Sequence, residues 1–131
     1  MTRNANPQLK NPKTEAGGTW TAARKWSFIR SALRRAFVRW PPNYQARKLY
    51  RRAYKGPNKL QKWEFQCALC RKWTMGKNTQ LDHIVPAGSL RAYSDLPAFC
   101  ERLFCEAQGL RVLCKKCHKE ITQAQRKQNR P

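Results

Sequence analysis

Acidic side chains are scarce in this chain of 131 residues. Seven Asp and Glu stand against 28 Lys and Arg, a formal charge of +21. The shortage is concentrated in the first half. Residues 1–62 hold sixteen Lys and Arg and one acid, Glu15, a net +15, whereas residues 63–131 hold twelve and six, a net +6. With no acid between Glu15 and Glu64, the basic half lacks partners for i,i+4 ion pairs, which disfavours an ordinary solvated face. The pattern is the electrostatic footprint of a polyanion binder. Charge alone does not separate DNA from RNA or from an anionic lipid surface. Long apolar runs are missing too: none approaches the roughly 18 residues of a membrane span. The N-terminal stretch MTRNANPQLKNPKTEAGG has no apolar segment of the kind a secretory signal needs. These absences predict a soluble, cytoplasmic chain without a membrane partner. Internal repeats are absent, and the length suits one domain's worth of core.

Six cysteines are present, and four form two CxxC pairs, Cys67-Ala-Leu-Cys70 and Cys114-Lys-Lys-Cys117. Two such turns can deliver four thiolates to one tetrahedral ion, the donor set of a structural zinc site. A disulfide framework fits poorly without a secretory signal, and a redox CxxC fits poorly without a βαβ pattern. Zn2+ is therefore the expected structural cofactor. Cys100 and Cys105 read as free core thiols.

Periodicity organises the rest. Residues 1–18 read as a disordered basic arm and 19–61 as a basic helical extension for binding a polyanion, which the resemblance given below makes DNA-binding. Thr19 to Trp40 predicts a helix with Ala22, Trp26, Ile29, Leu33, Ala36, Phe37 and Trp40 along one stripe. Arg24, Arg35 and Arg39 lie opposite, with Arg34 flanking. Pro41-Pro42 ends it. A second helix is expected from Asn43, as N-cap, to Lys55, carrying Arg47, Lys48, Arg51 and Arg52 and stopped at Gly56-Pro57. Residues 62–131 form the expected zinc-stapled domain. Trp63 and Phe65 alternate as a strand into the first CxxC, and Arg71 to Thr74 returns from it. Gln80 to Val85 predicts another strand. Asp95 is a candidate cap for a helix over Leu96 to Ala107, with Gly109 as its C′ glycine. Leu110 to Leu113 predicts a strand, followed by a helix starting near Cys117.

Histidine is scarce as well. The two in the chain, His83 and His118, both fall in or beside the zinc module. Asp82-His83 closes a predicted strand, and His118 follows Cys117. The four cysteines already complete a zinc site, so the histidines are left for other chemistry. A carboxylate and an imidazole suit a catalytic divalent cation with open coordination positions. Adjacent strand residues point to opposite faces, so Asp82 and His83 need the turn at Pro86 or a local twist to act together.

The order Cys67-x-x-Cys70, then Asp82-His83-Ile84-Val85-Pro86, then Leu113-Cys114-Lys115-Lys116-Cys117-His118, resembles the HNH endonuclease family, the ββα-metal nucleases, in its zinc-stapled branch. The likeness covers about residues 63–123. Ile29-Arg30-Ser31-Ala32-Leu33-Arg34-Arg35, with Arg39-Trp40-Pro41-Pro42, also resembles the leader of small phage-encoded HNH proteins. The resemblance implies an α+β fold: a ββα-metal core stapled by four cysteines and preceded by two basic amphipathic helices. It implies hydrolysis of DNA phosphodiesters, by nicking or double-strand cleavage. His83 would be the general base, and Asp82 and His118 the ligands of Mg2+ or another divalent cation. Products would carry 5′-phosphate and 3′-hydroxyl ends. Lys115, Lys116 and Lys119 join the basic helices as expected phosphate contacts. A monomer is expected in the cytoplasm of a host cell, with phage DNA-processing proteins as candidate partners. Gly109 stands where the family has Asn, whose amide orients the general base. Gln108 substitutes if the register bulges, and Gly109→Asn is otherwise expected to raise activity. The alternative reading is a weak or inactive zinc-ribbon DNA-binding protein, or a phage packaging accessory.

Overall fold

The computed structural model describes residues 11–128; residues 1–10 of the expected arm lie outside them. The described chain is mixed α+β, with four α-helices and two small sheets. It divides into two units. One holds the chain up to Arg39 together with Ala87–Leu103; the other holds Trp40–Pro86 together with the chain from Phe104 onward.

In the first unit, Glu15 to Trp20 form a closed turn within the expected arm and the start of the helical extension. Glu15 and Trp20 pair as an isolated bridge. The Glu15 carbonyl accepts from the N–H groups of Gly18, Thr19 and Trp20. Ala16, Gly17 and Gly18 all take positive φ, so the two glycines sit where a side chain is strained. The Glu15 carboxylate pairs with Lys25. Helix α1 spans Ala22–Phe37. It starts after Thr21, whose hydroxyl accepts the Arg24 N–H at 3.1 Å, an N-cap. Only Trp26 of the predicted stripe is fully buried. It packs edge-on against Tyr93, with ring centroids 4.8 Å apart. Helix α3, Leu96–Leu103, contributes Phe99 and Leu103 to this unit's core, beside Ala87 and Leu90. It stops before the expected Ala107. Asp95 does not cap it: that carboxylate accepts the Arg91 N–H instead.

The second unit opens with helix α2, Pro41–Leu49. The proline pair expected to end the first helix instead starts the next, α1 having already stopped at Phe37, because the first helical residues have no intrahelical use for an N–H. The N-cap is therefore Trp40, not Asn43, and Asn43 is buried within the helix. The predicted helix over 43–55 is corrected at its second half. Arg51–Ala53 is strand β1, antiparallel to β2, Trp63–Gln66, which pairs in turn with β3, Trp73–Thr74. Cross-strand pairing to Trp63 and Phe65 overrides the local helix propensity of Arg and Ala. Strands β4, Thr79–His83, and β5, Leu110–Cys114, form the second sheet. Their antiparallel register runs unbroken from Thr79↔Cys114 to His83↔Leu110. Helix α4, Lys115–Gln128, follows β5 with no intervening residue and packs on both strands. Leu110, Val112 and Leu113 of β5 are buried with Ala46 of α2 and Cys67.

Candidate metal centre and basic surfaces

The turn between β2 and β3 carries Cys67 and Cys70. Its backbone closes by Cys67 N–H to Lys72 O and Arg71 N–H to Cys67 O, both 3.0 Å. Arg71 sits at φ +66°, the left-handed position such a turn needs and one that costs a non-glycine residue energy. A hydrogen bond from Ala68 N–H to Val112 O, 2.8 Å, docks this turn on β5. The second pair straddles the junction of β5 and α4. There the Cys114 sulfur accepts the Cys117 N–H at 3.4 Å, acting as a sulfur cap on the new helix.

The four Sγ atoms lie within 4.8 Å of one another. Cys70 Sγ and Cys114 Sγ are 3.9 Å apart. A tetrahedron of sulfurs at about 2.3 Å from zinc has edges of about 3.8 Å, so the donor set fits that ion. The electrostatics agree. Burial pushes the Cys67 thiol up, but hydrogen bonds from the backbone of Cys114, Cys70 and Leu69 outweigh it and bring the pKa to about 6. Cys117 is pushed up to about 12, first by its hydrogen bond with Cys114, then by burial and by the thiols of Cys67 and Cys70. Thiols this close cannot all ionise without a cation among them. Cys100 and Cys105 are free and half-buried, not fully in the core.

Among the described residues, these cysteines are the only His, Cys, Asp and Glu side chains that converge in a group of three or more. Asp82 and His83 close β4, which starts one residue before the predicted strand and stops two residues short of its expected end at Val85, and His118 lies in the first turn of α4. All three are half-buried. Sequence reasoning missed Arg111. It lies directly across the ladder from Asp82 and donates from Nε to Asp82 Oδ2 at 3.0 Å. The Asp82 side chain is only 12% exposed, so the carboxylate sits where a positive charge is favoured. Nothing in the local sequence links positions 29 residues apart; only the register does.

Gly109 is not a left-handed helix cap. It ends a 3-10 turn, Ala107–Gly109, and its φ is not positive. Its carbonyl accepts the Ile84 N–H at 2.9 Å. The backbone of Gly109 thus pins the residue next to His83. No bulge shifts Gln108 into the ladder, and Gln108 is exposed.

The expected phosphate contacts divide between the units. Arg24 lies 4.4 Å over the Trp20 ring and Arg34 5.9 Å over Phe99, while Arg35 and Arg39 are exposed. In the other unit, Arg47 and Lys48 are in the last turn of α2. Lys115, Lys116 and Lys119 are exposed on the first turns of α4. Arg51 and Arg52 are on a strand, not a helix. No helix among the described residues is long and apolar enough to cross a membrane. Comparison with protein-family models, curated proteins and solved structures finds no match to this chain.

Proposed function

We propose that this chain is a metal-dependent endonuclease of the HNH, or ββα-metal, type that hydrolyses DNA. One observation carries the reading. β4 ends in Asp82-His83, paired with Arg111 and Leu110 at the start of β5, and β5 runs at its other end, where the four cysteines gather, directly into the helix bearing His118, which packs back on both strands. Zn2+ on the cysteines would hold the junction rigid. Asp82 and His118 would hold a second divalent cation; their hard oxygen and borderline nitrogen donors suit one with open positions. Such an ion supplies polarisation of the scissile phosphate and stabilisation of the leaving 3′-oxygen. His83 would accept the proton of the attacking water. The Gly109–Ile84 backbone bond steadies the loop that follows His83. Exposed Lys115, Lys116 and Lys119 offer phosphate contacts near His118 without reading sequence.

The test is incubation of the pure protein with supercoiled plasmid and Mg2+ or Mn2+. Nicked or linear product that disappears in His83→Ala, with DNA affinity unchanged within about twofold, is the expected result. A general base contributes on the order of a hundredfold or more to rate and little to ground-state binding. Asp82→Ala and His118→Ala should lose activity by losing the metal. Wild-type rates in His83→Ala would refute the assignment. A second reading, a DNA-binding protein with little or no catalysis, is favoured by the Arg111–Asp82 pair, because a guanidinium already neutralises that carboxylate. Absence of cleavage with retained binding would select it.

A further inference from the structure

The three-stranded sheet has two unequal faces. Adjacent residues of a strand point oppositely, so Arg51 and Arg52 serve different sides. Arg52 lies 3.8 Å over the Trp73 ring and is clamped by Glu64 Oε1 at 2.6 Å, so its charge is compensated within the sheet. Arg51 lies 3.9 Å over the Trp63 ring. Among the described residues no carboxylate pairs with it. Trp63 itself is 40% exposed. Its cross-strand neighbour is Ala53, whose methyl group is too small to cover an indole. Around this face the charge is one-sided: residues 47–74 hold nine Lys and Arg and one acid, Glu64, which Arg52 already occupies.

An exposed indole stacked with an uncompensated guanidinium, in a basic field, has the chemistry of a base platform. Stacking on an aromatic ring is open to any base that presents its π-face, whereas bases inside a duplex are stacked on each other. We propose that the Arg51–Trp63 face binds an unpaired nucleobase of a single-stranded nucleic acid. Trp63 is the stacking surface, and Arg51 and the exposed Lys62 meet the flanking phosphates. The Arg52–Trp73–Glu64 face is structural. This surface goes beyond the nuclease reading: it shares the polyanion footprint but uses none of Asp82, His83 and His118.

The experiment measures fluorescence anisotropy of labelled strands with the full-length, zinc-loaded protein and no added divalent cation. An oligothymidylate is compared with an abasic oligodeoxynucleotide of equal length, which keeps the phosphates and lacks the bases. The wild type should prefer the oligothymidylate by about tenfold, the range expected for one stacked base. Trp63→Ala should lose that preference while binding the abasic strand as before, and Trp63→Phe should keep most of it. Equal wild-type affinity for the two strands overturns the proposal without any variant, so a folding defect in Trp63→Ala cannot shelter it. Preference retained in a folded, zinc-loaded Trp63→Ala overturns it too. Plasmid cleavage separates the two readings: a protein that cuts but ignores the bases loses only this surface, and one that prefers bases but never cuts loses only the nuclease assignment.

Discussion

A methyl group at position 109 would sit 2.9 Å from Cys105 Sγ and 3.3 Å from Cys105 Cβ. The first distance is closer than such atoms come, so the thiol must rotate away or the backbone must yield. Gly109→Asn should therefore lower stability, by about 1–3 kcal/mol for an overpacked site, and should slow cleavage instead of raising it. Cys105→Ala removes the nearer obstacle, so the penalty should shrink in that background. Thermal unfolding of the two single variants, the double variant and the wild type measures this coupling; strictly additive losses would exonerate the thiol. The sequence marked position 109 as unusual only through its resemblance to the HNH pattern. It gave no sign of why glycine is needed, because Cys105 approaches it through a turn whose shape no local pattern encodes. Asp82 is similar. Its place on a strand was legible, although the strand was expected to run to Val85 before Pro86 and ends at His83, and its guanidinium partner depended on long-range register.

At the scale of elements, the cysteine cluster joins the β2–β3 turn to the junction of β5 and α4. Each pair was readable as a motif, and the structure brings them together. The missed element is β1. Arg51, Arg52 and Ala53 suit a helix as well as a strand, and the nearest breaker, Gly56, lies beyond them. Only pairing with Trp63–Gln66 decides the matter. A metal bound by these cysteines would have a pH signature. Cys117 keeps its proton up to about pH 12 without a cation, so binding zinc must expel it, whereas Cys67 is already ionised above about pH 6. Acid favours the proton and base favours the metal. Zinc affinity should thus rise about tenfold or more per pH unit between pH 7 and 8, measured by competition with a chromophoric chelator. A flat profile would mean that Cys117 is not a ligand. Cys70→Ser should abolish stoichiometric zinc in elemental analysis and lower the melting temperature.

Across the whole molecule, +21 is a large charge for 131 residues and favours association with a polyanion over the free state. DNA affinity should fall with salt along a log–log slope of magnitude about 5 or more, read by anisotropy on a duplex at several ionic strengths. Deleting residues 1–12 should flatten the slope. The Glu15 turn is best left in place, because its carboxylate is tied to Lys25. A slope near zero would contradict the electrostatic footprint.

The spacing of the two cysteine pairs also bears on how the chain finds its fold. A bridge between Cys70 and Cys114 encloses a 44-residue span, and within that span lies Ala87–Leu103, the part of the other unit that interrupts β4 and β5. Tying the ends of a span this long removes about 4 kcal/mol of chain entropy from the unfolded ensemble, by the same arithmetic that applies to a covalent cross-link. A zinc ion captured early would turn the search for β4–β5 pairing into an intramolecular one. The inserted segment would then fold as a tethered loop, its wandering bounded by the metal at its base.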